Sequence, residues 1–449
     1  MLKDFLHKFF LFLCLLSLTL TFFSPSYYDT TYNYFIFSIY VIQLFVFFKL
    51  KKKTSYWDFD ILFLIVFSLA SYAYPLLIYT PSDPFLPFFQ LPFKTNNISK
   101  AVGLSSIAAT AYMLGSLCKK NTHSKSYRKV EVNTNFLVLL VLLFSFIFIA
   151  AGGITYYQAM YDKKIEVVPS GLILQAQALL QACSIAAISI EFYNININNK
   201  KANKLLFLVL FLVAFIMLYA GNRTLAMQLI LPITFFVAFR YIRITKIRLL
   251  ILSFFGIIAM WLVGRLRGGR EITEDTIQLA NLVKDIVLPA RNNYLVFEIV
   301  EESGHTWGYT MSGGIIGTIP SLERVLTIFG LDSRKIGSAT YFTDYTYPAG
   351  DAPFGLGTML QADAYLSFGI LGVFIVFGMI GYWVSYIYSS LRNNSYYAYV
   401  VYAALMAHAI FWIRAEAFYP LKIILWSSLI AYFNRHIVIN GKKNNVLYS

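Results

Sequence analysis

Charge is what this chain has least of. Of its 449 residues, 13% are Asp, Glu, Lys or Arg, against 58% apolar residues, a balance that excludes an ordinary soluble domain. Cysteine is nearly absent as well. Cys14, Cys118 and Cys183 are unevenly spaced and each lies in or at the end of an apolar block, so neither a disulfide framework nor a cysteine-built metal site follows. There is no His-Glu-x-x-His, and the one Asp-x-Asp, Asp58-Phe59-Asp60, falls at the entry of an apolar span. The expectation is no metal and no cofactor. No ten-residue alternation suggests a membrane barrel, and open strands cannot cross lipid with unpaired backbone groups. The net charge of +15 invites a nucleic-acid reading, but the basic residues are dispersed along span edges and no recognised nucleic-acid module accompanies them.

What is present is apolar sequence in blocks. Stretches such as 136–151 and 205–220, with their flanking polar residues, reach the roughly 20 residues that a membrane-crossing helix needs. The first block, 5–23, is followed by Ser24-Pro25-Ser26, a poor cleavage site because of the proline, and is read as a retained first helix. Lys and Arg recur after every second block: Lys51 to Lys53, Lys119 and Lys120, Lys200 and Lys201, Arg240 and Arg243, Arg392, and Arg435. Cytoplasmic loops carry such an excess, so the pattern predicts an all-α polytopic membrane protein of about twelve transmembrane helices with both termini in the cytoplasm. The basic edges would meet anionic lipid headgroups of the bilayer. Helices 1–9 occupy residues 1–263, a large outward loop between helices 9 and 10 covers 264–355, and helices 10–12 with a cytoplasmic tail cover 356–449.

The outward loop differs in kind from the rest. Residues 272–302 have apolar residues at helical spacing, with a kink expected at Pro289 and a stop at Gly304. Residues 308–320 are Gly-rich and half apolar, in the manner of a re-entrant or interfacial element. Residues 337–357 read as an irregular polar and aromatic loop.

Arginine on the outer face calls for a reason, because the positive-inside rule leaves that face poor in cations. Arg223 sits in a short turn between two spans, Arg291 follows Pro289, and Arg414 lies between the last two spans. Arg265, Arg267 and Arg270 leave the ninth span among glycines, and Arg324 and Arg334 lie deeper in the loop. Guanidinium pairs bidentately with phosphate oxygens, as ammonium cannot, so an anionic ligand such as a lipid diphosphate accounts for the set. Snorkelling to headgroups is the alternative for Arg223, ion pairing with Glu298, Glu301 or Glu302 for Arg291, and pairing with Glu416 for Arg414. Candidate bases are His305, Asp344, Asp351, Asp363 and Glu416. Asp363 stands out because a carboxylate in the first turns of an apolar helix is expensive without a task or a partner. His408 lies within an apolar block and reads as a packed residue.

Several fragments, in order, resemble the Wzy-type oligosaccharide repeat-unit polymerases of O-antigen and capsule synthesis. They are Gly221-Asn222-Arg223-Thr224 opening a helix, Arg291 with its amphipathic segment, and Trp307-Gly308-Tyr309 leading to Ile319-Pro320. Gly355-Leu356-Gly357, Ala364-Tyr365-Leu366-Ser367-Phe368-Gly369-Ile370-Leu371-Gly372 and Arg414-Ala415-Glu416 follow. The resemblance covers about residues 205–433. Two positions depart from it: Asp363-Ala364 stands where members often carry Glu, and Arg414-Ala415 where they often carry Arg-Gly. The resemblance implies a GT-C-like fold and glycosyl transfer between two undecaprenyl-diphosphate-linked oligosaccharides at the outer face of the bacterial cytoplasmic (inner) membrane. A flippase and a chain-length regulator of the same pathway would be partners. On this reading Arg223, Arg291 and Arg414, with Arg265 and Arg267, hold diphosphates. Asp363, Glu416 or His305 serves as base or orienting group. An O-antigen ligase and a lipid-linked oligosaccharide flippase or transporter are the competing readings.

Overall fold

The computed structural model describes residues 2–51, 55–81, 93–118, 129–130, 132–162, 170–266, 287–319, 322–328, 336–348 and 355–447. Helix occupies every apolar block. In order these are α1 (Leu2–Phe22), α2 (Thr30–Lys51), α3 (Phe59–Ala73) continued by a π-helical turn (Tyr74–Ile78), α4 (Asn97–Cys118), α5 (Asn135–Ala150), α6 (Gly153–Asp162), α7 (Gly171–Ile197), α8 (Lys204–Tyr219), α9 (Arg223–Arg240) and α10 (Lys246–Leu266). Among the described residues of the interval 264–355, four short helices occur: α11 (Arg291–Ser303), α12 (Tyr309–Ile316), α13 (Leu322–Ile328) and α14 (Ser338–Thr346). The chain then runs through α15 (Leu360–Arg392), α16 (Tyr396–His408) and α17 (Leu421–Leu447).

Among the described residues, seven helices are long and apolar enough to cross a membrane, or eight if α5 and α6, bent by 55° at their junction, form one span. No strand occurs among the described residues. The chain is an integral membrane protein. Its outer surface agrees: Leu11, Phe12 and Leu15 of α1, Leu139 and Phe146 of α5, Phe211 and Phe215 of α8, and Leu250 and Phe254 of α10 are all exposed. Water would penalise such a surface and acyl chains do not.

Without a hydrophobic drive between helices in lipid, packing rests on close backbone approach and on hydrogen bonds. Both are present. The main seam joins α4 to α15. A methyl group on Gly115 would overlap the carbonyl of Gly378, and one on Gly381 would overlap the carbonyl of Tyr112, so the two backbones touch. Gln43 of α2 donates through Nε2 to Leu13 O (3.1 Å), Ser17 Oγ (3.0 Å) and Thr110 Oγ1 (3.1 Å), tying α1, α2 and α4 together. The Asp-x-Asp is taken up by structure. Asp58 accepts the Ile61 N–H at the start of α3 (3.2 Å), while Asp60 pairs with Lys51 Nζ (2.8 Å) and accepts from Tyr112 Oη (2.6 Å).

The loop segments show what sequence periodicity missed. The helix expected over 272–302 is described from residue 287 onward, where a 3-10 turn at Leu288–Ala290 leads into α11 and Gly304 (φ 76°) ends it. Residues 308–320 contain the short helix α12. Residues 337–357 were expected to be irregular, yet Ser338–Thr346 is helical. The cause is tertiary: the carboxylate that receives the first amides of α14 comes from a residue far along the chain, Glu416.

Candidate functional site

The site is built where α12, α14, the start of α15 and the turn before α17 meet. Its deepest member is Asp363, fully buried in the first turn of α15. Its Oδ2 accepts the backbone N–H of Ala417 (2.9 Å). The hydroxyls of Ser338 and Thr310 stand beside it, but the first donates to Thr358 Oγ1 (2.8 Å) and the second is shared with Ser367 Oγ (3.3 Å) and Thr306 Oγ1 (3.1 Å). Asp363 Oδ1 is left without a hydrogen-bond partner among the described residues. A buried carboxylate oxygen in that state is costly.

Bonding Ala417 places its neighbour. Glu416, half-buried, accepts the amides of Ser338 and Ala339 at the N-terminus of α14. Those amides and the helix dipole favour its charged form. Burial, first, and the nearby Asp363 charge outweigh them and push the Glu416 carboxyl up to about 7 from an ordinary 4.5. Near neutrality it is therefore poised between giving and taking a proton. Gly337 makes the contact possible, since a Cβ there would lie 2.7 Å from Glu416 Oε1. Gly313 and Gly314 of α12 act in the same sense on a larger scale. Side chains on them would strike the Ile336 carbonyl and Phe418, so this pair lets the segments carrying Gly337 and Glu416 close on one another.

The three principal arginines attach to this centre differently. Arg414 ends the 3-10 turn Trp412–Arg414, two residues before Glu416. Its charge acts on Tyr419, which faces the side chain of Gln228 on α9; Gln228 Oε1 accepts from Gln181 Nε2 of α7 (2.7 Å), while Gln228 Nε2 has no hydrogen-bond partner among the described residues. Arg223 is the first residue of that same α9, behind Asn222, whose Oδ1 caps Leu225 N–H (3.1 Å). A cation at a helix N-terminus works against the dipole, so the placement of Arg223 is not one that helix stability selects.

Arg291 opens α11 and is 5% exposed. Burial lowers its affinity for the proton, while Tyr347 and then Glu298 act in the opposite direction. Glu298 is also engaged elsewhere, accepting from the Lys94 amide (2.6 Å) and Asn97 Nδ2 (3.4 Å). Tyr347 is the C-cap of α14, the helix whose opposite end receives Glu416. A helix of its nine residues is about 13 Å long at 1.5 Å per residue. Tyr347 and Glu416 thus mark the two ends of one short strut, with Arg291 within electrostatic reach of the Tyr347 end.

His305 is set apart from the carboxylates. It lies against an interruption of α15 where Phe368 (φ −143°) and Gly369 (φ 63°) leave helical geometry. The interruption frees the carbonyls of Leu366 and Ser367, which accept the amides of Thr306 (2.9 Å) and Trp307 (3.1 Å). The His305 ring packs where a Cβ on Gly369 would be, 3.2 Å away, and its Nδ1 is buried without a hydrogen-bond partner among the described residues. The Tyr365-Leu366-Ser367-Phe368-Gly369 run is therefore a docking notch for the loop rather than plain span.

Arg265 falls in the last turn of α10, whereas Arg267, Arg270, Arg334 and Asp351 lie outside the described residues. Arg324 is carried by α13, and Asp344 is exposed on α14. His408 closes α16 at 1% exposure with Nδ1 2.7 Å from Ala404 O, a packed residue. Sequence reasoning missed the supporting set of Thr310, Ser338, Gly337, Gln228 and Tyr419. None carries a motif, and only the two glycines of Ser312-Gly313-Gly314 hinted at close approach.

Compared with known proteins, the chain matches the family model described as O-antigen polysaccharide polymerase Wzy over residues 6–439, nearly its whole length. No curated protein and no solved structure matches it.

Proposed function

We infer the reaction from one premise: the chain belongs to the O-antigen polysaccharide polymerase (Wzy) family. The protein joins oligosaccharide repeat units carried on undecaprenyl diphosphate, at the outer face of the bacterial inner membrane. Twelve helices cross the membrane with both termini in the cytoplasm, residues 1–263 and 356–449 forming the membrane body and 264–355 the outer loop that covers the site. A flippase delivers the repeat units and a chain-length regulator acts on the product.

The observation that carries this reading is Glu416, held on the first amides of α14 by the Asp363–Ala417 bond, with a proton affinity near neutrality. In the reaction, a hydroxyl at the non-reducing end of one lipid-linked unit attacks the anomeric carbon of the growing chain. The new carbon–oxygen bond forms, the bond from that carbon to the diphosphate breaks, and the hydroxyl proton passes to Glu416. Asp363, fully enclosed, does not touch substrate; it positions the Glu416 backbone and raises its basicity. Arg414, two residues from the base, takes the departing diphosphate, and Arg223, at the head of the α9 helix that carries Gln228, joins it. Arg291, near the far end of α14, holds the diphosphate of the attacking unit, whose sugars span the distance between. Arginines supply the charge that a metal supplies in other phosphate-releasing enzymes, so the transfer is metal-independent.

The test is a gel of surface glycan from a strain lacking this gene and complemented with variants. Lipid A core bearing one repeat unit and no ladder is expected for the deletion and for Glu416→Gln. Loss of all antigen from the core would point to ligation or export instead. Arg291→Lys retains charge and loses the bidentate fork, and is expected to shorten the ladder nearly as much as Arg291→Ala; full-length polymer with both would remove Arg291 from the site.

A further inference from the structure

We propose that Trp307 is the stacking platform for a pyranose ring of the lipid-linked glycan, in a subsite at the interruption of α15. This deepens the glycosyl-transfer reading above and rests on it.

Trp307 is 76% exposed and holds a left-handed backbone conformation, φ 51°. For a bulky residue that conformation costs of order 1–3 kcal/mol. The two hydrogen bonds to the α15 interruption keep it there, Thr306 N–H to Leu366 O and Trp307 N–H to Ser367 O. Nearby rings steady it from the side without covering it. His305 stands 6.1 Å away at 75° and Phe368 6.3 Å away at 70°, so both present edges and neither stacks on the indole. His305 is in turn wedged against Tyr365 (5.9 Å), and Tyr365 against Phe297 (4.8 Å).

An open indole fixed in this way suits one ligand chemistry well. A pyranose has a face of C–H bonds and a rim of hydroxyls. The C–H face carries partial positive charge toward the negative face of an aromatic ring and buries apolar area on it. The rim needs polar partners, and the half-buried Thr306 hydroxyl stands next to the platform, backed by the fully buried Thr310 and Ser367 that lie between it and Asp363. Ser367 follows Asp363 by four residues on α15, about 6 Å along the helix, so a ring on Trp307 would be presented to the reacting centre. A tryptophan that merely anchors the protein in the headgroup region needs no such backbone strain.

The experiment uses the purified full-length protein in lipid nanodiscs and, as probe, the soluble repeat-unit oligosaccharide released from the host's own glycan. Saturation-transfer NMR measures its affinity for wild type, Trp307→Phe and Trp307→Leu. Phenylalanine keeps an aromatic face, whereas leucine keeps only apolar bulk and partition into the bilayer. Expected is binding within threefold of wild type for Trp307→Phe and at least tenfold weaker for Trp307→Leu, a loss of about 1.4 kcal/mol. Equal binding by Trp307→Leu and wild type overturns the platform, as does equal binding combined with a lowered thermal midpoint, which would make Trp307 a bilayer anchor. Failure of wild type to bind the oligosaccharide also overturns it, while the glycan ladder of Glu416→Gln decides the polymerase reading separately.

Discussion

Glu416 is pulled in opposite directions, and the balance can be measured. Helix amides favour its anion, while burial and Asp363 favour its acid, leaving it at about 7. A base must be deprotonated to act, so transfer by purified protein is expected to rise with pH up to about 7 and then level. Glu416→Gln removes that limb and lowers the rate by about 10²–10⁴. The sign for stability is the reverse. A carboxyl whose affinity for the proton is higher in the folded state helps the fold below about 4.5 and loses that contribution as pH rises through about 7. The permanently neutral Glu416→Gln is therefore expected to unfold at a higher temperature than wild type at pH 8, with the difference fading toward pH 4.5. Gly337→Ala probes the same contact from the other side. Its φ of 175° suits any residue, but the new methyl would lie 2.7 Å from Glu416 Oε1. A fall in rate at pH 7 with an unchanged melting temperature is expected, and wild-type kinetics would show that the carboxylate does not depend on this approach. In the sequence, Glu416 could be named as a candidate because Arg414-Ala415-Glu416 is charged amid apolar residues. Its choice over Asp363 as the proton acceptor could not, since burial decides it.

Among the elements, α15 and α14 divide the work. The long helix carries Asp363 on the turn before its interruption and the glycine seam with α4 after it, so one element holds both the buried carboxylate and the packing of the membrane body. Gly381→Val at that seam is expected to destabilise the protein by about 1–3 kcal/mol through overpacking, read as a lower melting temperature in detergent; an unchanged value would mean that the helices are less closely packed than the Gly381–Tyr112 approach requires. The apolar period of α15 was evident in the sequence, but its interruption at Phe368-Gly369 was not, because the amides that stabilise it come from Thr306 and Trp307. For α14 the difficulty is the same. Ser338 to Thr346 holds three aromatic and three β-branched threonine residues in nine, a weak helix former on local grounds, and the acidic cap that starts it arrives from Glu416.

At the scale of the whole molecule, hydropathy was enough. Blocks of apolar sequence became helices with lipid-facing Leu and Phe, because no other backbone arrangement satisfies its own hydrogen bonds in hydrocarbon. Orientation rests on the alternating basic loops. A reporter fused after Glu302 is expected to read out as periplasmic, and a cytoplasmic signal would invert the arrangement and place the carboxylates on the wrong side for an outer-face reaction. The position of the site was legible only as a region, the long polar interval between apolar blocks. Which of its parts touch was set by contacts between residues more than 50 apart, such as Asp363 with Ala417, and periodicity says nothing about those.

The strut between Tyr347 and Glu416 has one more consequence. If a fixed length of helix separates the grip on the attacking lipid from the point of attack, α14 works as a gauge. A lipid diphosphate bearing a single sugar would fall short of the base when held by Arg291, and a complete repeat unit would reach it. Rejection of half-built glycan would then need no dedicated proofreading, only the rigidity of nine residues whose first turn is held by Glu416.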